Sequence, residues 1–107
     1  MKGFEQGDIH YAHFDDPIKS RPVVVLSRTD LNMLRTNIVV ALITGTIRGI
    51  PYEVSVGIDE GLSKDSVVDL GDIHTLPKTR FSERKGGLSP DKIDQLREGL
   101  KLLFALT

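Results

Sequence analysis

The chain has 107 residues, a formal net charge of −1 and no cysteine. Its hydrophobic fraction of 39% and charged fraction of 27% are typical of one folded domain, so we expect a single domain over residues 1–107 and exclude disordered and low-complexity classes. No run approaches the roughly 18 apolar residues of a membrane helix, and the first residues lack the apolar core of a signal peptide. The missing cysteines exclude disulfides and thiolate sites. We therefore expect a cytoplasmic protein without a membrane partner.

Short apolar runs separated by turn residues predict a mainly β domain. Two runs, Pro22–Leu26 and Ile38–Ile43, are apolar throughout and predict strands buried on both faces. Tyr52–Val56 alternates as a half-exposed strand does. Further strands are expected at Ile9–Phe14, Ser66–Leu70 and Ile73–Leu76, with turn residues at 15–17, 48–51, Gly57, Gly61 and 86–87. Close spacing of short strands favours a barrel or sandwich.

The C-terminal segment changes to helical periodicity. Ser89 is a good N-cap and Pro90 fits the first helical position. A helix of about four turns is expected to cover an open side of the barrel, through one apolar stripe formed by Ile93, Leu96, Leu100, Leu103 and Phe104. A second, short helix is expected within Thr29–Leu34.

Several common types of active site are excluded by the sequence. His10 and His13 would point to opposite faces of a strand, so with His74 they do not suggest a metal site, and no metal or other cofactor is expected. There is no Gly-x-Ser-x-Gly elbow and no phosphate-binding glycine loop. Residues 17–50 carry five basic groups and one acidic group, whereas residues 51–72 carry one basic and six acidic groups, so a local positive patch is possible on a nearly neutral chain.

Two polar residues stand at the ends of the most apolar runs. Arg21 precedes the first run and Thr44 ends the second. If both runs are central strands of one sheet, these residues can face one shallow cleft. The alternative from the residues alone is structural: Arg21 pairs with a carboxylate such as Asp16, and Thr44 is simply a good strand residue.

Five motifs in this order resemble the MazF/PemK family of toxins from bacterial toxin–antitoxin modules. They are Gly7-Asp8-Ile9, Arg21-Pro22-Val23-Val24-Val25-Leu26-Ser27, Ala41-Leu42-Ile43-Thr44 with Thr46-Ile47-Arg48-Gly49 and Pro51, Gly61-Leu62-Ser63-Lys64-Asp65-Ser66-Val67-Val68, and Leu88-Ser89-Pro90. The resemblance implies a mainly β fold with a C-terminal helix (α+β), an SH3-like small barrel of the MazF/PemK, CcdB-like type.

The resemblance also implies an activity: metal-independent, sequence-specific cleavage of single-stranded RNA. The ribose 2′-hydroxyl attacks the adjacent phosphate and leaves a cyclic phosphate and a 5′-hydroxyl. Arg21 and Thr44 match the family's catalytic arginine and threonine. The general base stays open among Asp16, His13 and His74, and Lys19, Thr46, Arg48 and His74 are candidates for binding RNA.

The sequence departs from the family pattern in two places. The segment 15–20 before Arg21 is shorter than in many relatives, and Asp72-Ile73-His74-Thr75 stands where many members have Gln-Ile-Arg-Thr. An aspartate beside RNA phosphates is unfavourable, so we expect a recognised RNA sequence different from that of better-known members.

The family's partners are a cognate antitoxin, whose acidic and apolar tail covers the RNA site, and a second copy of the toxin. Leu102 and Leu106 lie off the main apolar stripe of the terminal helix, and Phe104 can be shared, which fits a homodimer. The alternative function is a non-catalytic SH3-like barrel that binds nucleic acid or a protein, because a fold does not determine a function.

Overall fold

The computed structural model describes residues 3–15, 17 and 19–106. These residues form one curled antiparallel sheet with the strand order β4-β5-β3-β2-β1-β6. The strands are β1 (Asp8–His13), β2 (Ser20–Val25), β3 (Asn37–Thr44), β4 (Glu53–Val56), β5 (Ser66–Pro77) and β6 (Phe81–Gly87), and the helices are α1 (Thr29–Asn32) and α2 (Pro90–Leu103). Two single 3₁₀ turns, Ile58–Glu60 and Lys78–Arg80, precede β5 and β6. The mainly β class with a C-terminal helix is confirmed, and the sheet is a half-barrel.

Strands β1 to β4 and both helices lie where the sequence predicts them, with ends shifted by a few residues. The three valines of β2 are completely buried, as expected of a central strand without a polar face. In β4, Val54 and Val56 are buried while Ser55 is exposed, which confirms the predicted alternation.

The prediction of two strands at Ser66–Leu70 and Ile73–Leu76 is wrong, because the structure has one continuous strand, β5. In its pairing with β3, Val68 lies opposite Ile43 and Ile73 lies opposite Ala41. Residues 69–72 therefore lie opposite the single residue Leu42, so β5 carries three extra residues here, and they bend the strand without ending it. Their aspartates and glycine give this bend the composition of a turn.

Strand β6 was not predicted, and its last two residues were expected to form a turn. Its central residues 82–85 are polar and exposed, so no alternating apolar pattern marks the strand. It pairs with β1 through two register shifts, and Arg84 Nε lies 2.8 Å from the buried Asp8 carboxylate. Long-range pairing and one ion pair thus hold β6 in place.

Helix α2 packs on one face of the sheet, as expected. The side chain of Ser89 accepts a hydrogen bond from the Lys92 N–H at 3.3 Å, and Leu96 is completely buried against residues such as Val24 and Val68. The Lys92 ammonium also donates to the carbonyl of Ser55 on the edge strand β4. The opposite face of the sheet carries a second cluster of Ala12, Phe14, Val23, Val25, Ile38, Val40 and Leu42. No helix in the described residues is long and apolar enough to span a membrane.

The segment that joins β4 to β5 crosses strand β6 with no side chains between the two backbones. Gly61 has a φ of 95°, and a Cβ at this position would lie 2.6 Å from the carbonyl oxygen of Lys85. A Cβ at Gly86 would overlap the carbonyl oxygen of Glu60. Only glycine permits this approach, which joins the two ends of the curled sheet.

We expect Gly86→Ala to lower the free energy of unfolding by about 1–3 kcal/mol, the usual effect of forced overpacking. The matched control is Gly3→Ala, because nothing lies within 4 Å of a Cβ at residue 3. Urea denaturation followed by circular dichroism measures both variants. Equal midpoints for Gly86→Ala and the parent would contradict the close crossing.

Candidate active site

Arg21 and Thr44 lie at the same end of neighbouring central strands. The β2–β3 register pairs Val23 with Leu42, and its extension by two residues places Arg21 opposite Thr44. The Arg21 guanidinium donates through Nη2 to the carbonyl oxygen of Ile43 at 3.0 Å. The predicted position of both residues at the strand ends of one sheet is confirmed.

The hydroxyl of Thr44 is oriented by the loop that follows it. Its Oγ1 accepts a hydrogen bond from the backbone N–H of Thr46 at 3.2 Å. The hydroxyl hydrogen is therefore available for a different acceptor, because a hydroxyl group both donates and accepts.

A shallow cavity of about 220 Å³ adjoins Arg21. Its wall also includes Tyr11, Gly45, Ser63, Lys64 and Ser66. The Lys64 side chain lies across Gly45, since a Cβ at residue 45 would be 3.2 Å from its ammonium nitrogen. The sequence interpretation did not select Lys64, although it is the only basic residue in the acidic segment 51–72.

The cavity is electropositive. In the described part of the chain, six Arg and Lys side chains have a carboxylate oxygen within 4.0 Å, and Arg21 and Lys64 are among the seven that do not. Asp16, proposed as a partner of Arg21 and as a general base, lies outside the described residues. Two unmatched cations at one cavity favour an anionic ligand.

Lys19 and Thr46 flank the strand ends that carry Arg21 and Thr44. Lys19 is exposed and has a left-handed φ of 64°, and its carbonyl accepts the N–H of Phe14 at 2.7 Å. Thr46 is also exposed. Both side chains are accessible next to the cavity end of the sheet, and their role in RNA binding stays a prediction.

Arg48 is held by protein carboxylates. Its Nη1 lies 3.7 Å from an oxygen of Glu53 and 3.7 Å from an oxygen of Asp69, and Glu53 also accepts the Arg48 backbone N–H. The two carboxylates balance the positive charge of Arg48, and these contacts order the loop between β3 and β4. Contact between Arg48 and RNA stays a prediction.

His74 is not brought next to Arg21. It pairs with Val40, four residues before Thr44, which corresponds to roughly 13 Å along the strand. Its Nε2 lies 2.7 Å from an oxygen of Asp72, and its ring packs edge-on against Phe14. Contact between His74 and RNA stays a prediction.

The other histidines differ in accessibility. His13 is exposed and pairs with Ser20, the neighbour of Arg21, so it is closer to the cavity end than His74. His10 is buried, and its Nδ1 lies 2.8 Å from the Ser82 carbonyl oxygen. Within residues 3–15, 17 and 19–106, no three His, Asp or Glu side chains are grouped to hold a metal ion.

Comparison with known proteins identifies the family. Residues 5–104 match the family model described as "PemK-like, MazF-like toxin of type II toxin-antitoxin system". The chain is 36% identical over 98 residues to "Endoribonuclease MazF3" of Mycobacterium tuberculosis, with 92% of each protein covered. The solved structure of "Mycobacterium tuberculosis toxin MazF-mt6" is 35% identical and superposes with a TM-score of 0.86 over 94% of this chain and 98% of that one.

A more distant structure confirms the fold. The "MazE-MazF (Form-II)" structure from Deinococcus radiodurans is 22% identical, with a TM-score of 0.82 and complete coverage of both chains. The family match spans the motifs, the strands and the helix described above. The chain belongs to the PemK-like, MazF-like toxins of type II toxin–antitoxin systems.

Proposed function

We propose that this toxin is a metal-independent, sequence-specific endoribonuclease whose catalytic residues are Arg21 and Thr44. The observation that carries the proposal is their convergence at one sheet end beside an electropositive cavity. Family membership and the 36% identity to an endoribonuclease support the same activity.

The reaction needs no nucleophile from the protein. The 2′-oxygen of one ribose forms a bond to the adjacent phosphorus, and the bond from phosphorus to the 5′-oxygen of the next nucleotide breaks. The proton of the 2′-hydroxyl goes to a base, and the leaving 5′-oxygen takes a proton. Negative charge on the phosphate oxygens grows in the transition state, so preorganised donors lower the barrier.

Arg21 fits the role of that donor. A guanidinium has five N–H groups in a plane, and the bond to the Ile43 carbonyl uses only one of its nitrogens. The remaining N–H groups can bind phosphate oxygens in a fixed orientation. Charge stabilisation is its first role and proton donation to the 5′-oxygen its second.

Thr44 complements Arg21 from the neighbouring strand. Because Oγ1 is held by the Thr46 N–H, its hydrogen can be donated to a non-bridging phosphate oxygen. Lys19, Thr46, Arg48 and His74 are the residues that we expect to hold RNA on both sides of this phosphate. Of the two candidate bases that the structure describes, His13 lies closer than His74 to the strand end that carries Arg21.

Family membership also predicts the partners of this toxin. We infer that a cognate antitoxin inhibits the toxin with an acidic, apolar segment that covers the RNA site and finds matching positive charge there. A second copy of the chain is the other partner. The expected location of both is the cytoplasm.

The purified protein should cut single-stranded RNA in excess EDTA, because the proposed reaction uses no metal ion. Cleavage sites are first mapped on a long RNA and then reproduced in a short oligonucleotide. A matched oligonucleotide with deoxyribose at the cleaved position should stay intact, since it lacks the attacking 2′-hydroxyl. Binding without cleavage of any RNA would favour the non-catalytic alternative.

Arg21→Ala should lower the single-turnover cleavage rate by at least about a hundredfold, the scale for one preorganised donor. Arg21→Lys should recover only part of the rate, because it keeps the charge and loses the planar donors. Thr44→Ala should lower the cleavage rate by a smaller factor, and Thr44→Ser should retain most of the activity because it keeps the hydroxyl. Thermal melts are the control: a parallel loss of melting temperature and rate would instead indicate a structural role.

The chain should sediment as a homodimer at micromolar concentration. Leu102, Phe104 and Leu106 at the end of α2 are 59%, 55% and 62% exposed, an apolar surface that a second copy would cover. Phe104→Ser should shift sedimentation equilibrium toward monomer. The matched control is Ile58→Ser, at an exposed residue in the 3₁₀ turn, and it should leave the sedimentation equilibrium unchanged. Equal shifts for the two variants would argue against this interface.

A further inference from the structure

We propose that Lys64 is a substrate-binding residue that holds, together with Arg21, one phosphate of the RNA backbone. This inference rests on the proposed function, since it assumes that RNA is the ligand of the cavity. Both side chains line the same cavity of about 220 Å³. Arg21 comes from a central strand and Lys64 from the segment before β5, so the two cations approach the ligand from different elements.

The segment that carries Lys64 is fixed to the rest of the molecule. Three residues earlier, Gly61 packs against the backbone of β6. Two residues later, the buried Ser66 donates its hydroxyl hydrogen to the Lys64 carbonyl oxygen at 3.2 Å. The backbone at Lys64 is thus held from both sides, and the ammonium is presented to the cavity by an ordered support.

No carboxylate oxygen of the described residues lies within 4.0 Å of the Lys64 ammonium. Lys92 and Lys101 each lie within 4.0 Å of a carboxylate, Glu60 and Glu98 respectively. The adjacent Asp65 faces elsewhere: its Oδ1 is 3.1 Å from the position that a Cβ of Gly57 would take. An unmatched lysine on the wall of an electropositive cavity is suited to a phosphate group.

Gly45 makes room for the Lys64 side chain. A Cβ at residue 45 would lie 3.2 Å from Nζ and 3.3 Å from Cε. Alanine at this position would displace the flexible end of Lys64, while its backbone conformation carries no positive-φ penalty. Gly45→Ala therefore perturbs the position of the Lys64 side chain without a substitution at residue 64.

Binding of an uncleavable RNA tests the proposal without a catalytic readout. The probe is a fluorescent oligonucleotide with deoxyribose at the mapped cleavage position, titrated by anisotropy at several salt concentrations. Lys64→Gln should weaken binding by about tenfold, as expected for one lost charge-assisted contact, and reduce the salt slope by about 0.7. Lys64→Arg should bind within a few-fold of the parent, and the control Lys101→Gln should be unchanged.

A double-mutant cycle connects Gly45 to the same contact. Gly45→Ala should weaken RNA binding in the parent and have little further effect in the Lys64→Gln background, because both changes remove one interaction. Additive effects would mean that Gly45 acts independently of Lys64 and would contradict the proposed link between Gly45 and the Lys64 contact.

Failure of this inference can be distinguished from failure of the proposed function. If the parent cuts RNA and Lys64→Gln binds the probe with unchanged affinity and salt slope, the role of Lys64 is refuted and the ribonuclease assignment stands. If the parent neither cuts nor binds RNA, the proposed function itself fails. Thermal melts of Lys64→Gln should match the parent, since the side chain is exposed.

Discussion

The close contact between two backbone segments, residues 60–61 and residues 85–86, determines the shape of the molecule. Strands β4 and β6 are the two edges of the sheet and do not pair with one another. Instead, the segment after β4 lies against β6 at a distance that only glycine allows. Glu60 reinforces the segment, because its carboxylate accepts the Gly57 N–H at 2.6 Å and lies 3.7 Å from the Lys92 ammonium.

The same contact links the fold to the site. The chain leaves the crossing at Gly61 and within three residues reaches Lys64 on the cavity wall. The other side of the cavity is built from the ends of β2 and β3, whose apolar interiors fix Arg21 and Thr44 in register. A site built on buried strands and one anchored loop is preorganised, as a reaction that depends on positioning and charge requires.

The sequence predicted those parts of the structure that depend on local pattern. The valines of β2 and the Ser89-Pro90 start of α2 have the composition of their elements, and the apolar runs placed Arg21 and Thr44 at strand ends. Strand β6 and the continuity of β5 depend on long-range pairing with β1 and β3, which no local pattern encodes. Lys64 was missed for the same reason, because its approach to Arg21 depends on a crossing between residues distant in sequence.

The hydrogen bond from Lys92 to the Ser55 carbonyl has a consequence for self-association. A half-barrel that does not close leaves an edge strand on which another chain can add its own strand, and such edges promote aggregation. Here β4 has only four residues, and a lysine from α2 covers one of its carbonyl oxygens. A strand arriving at this edge would have to displace the ammonium, so a side chain of the helix that packs on the sheet helps to protect the β4 edge.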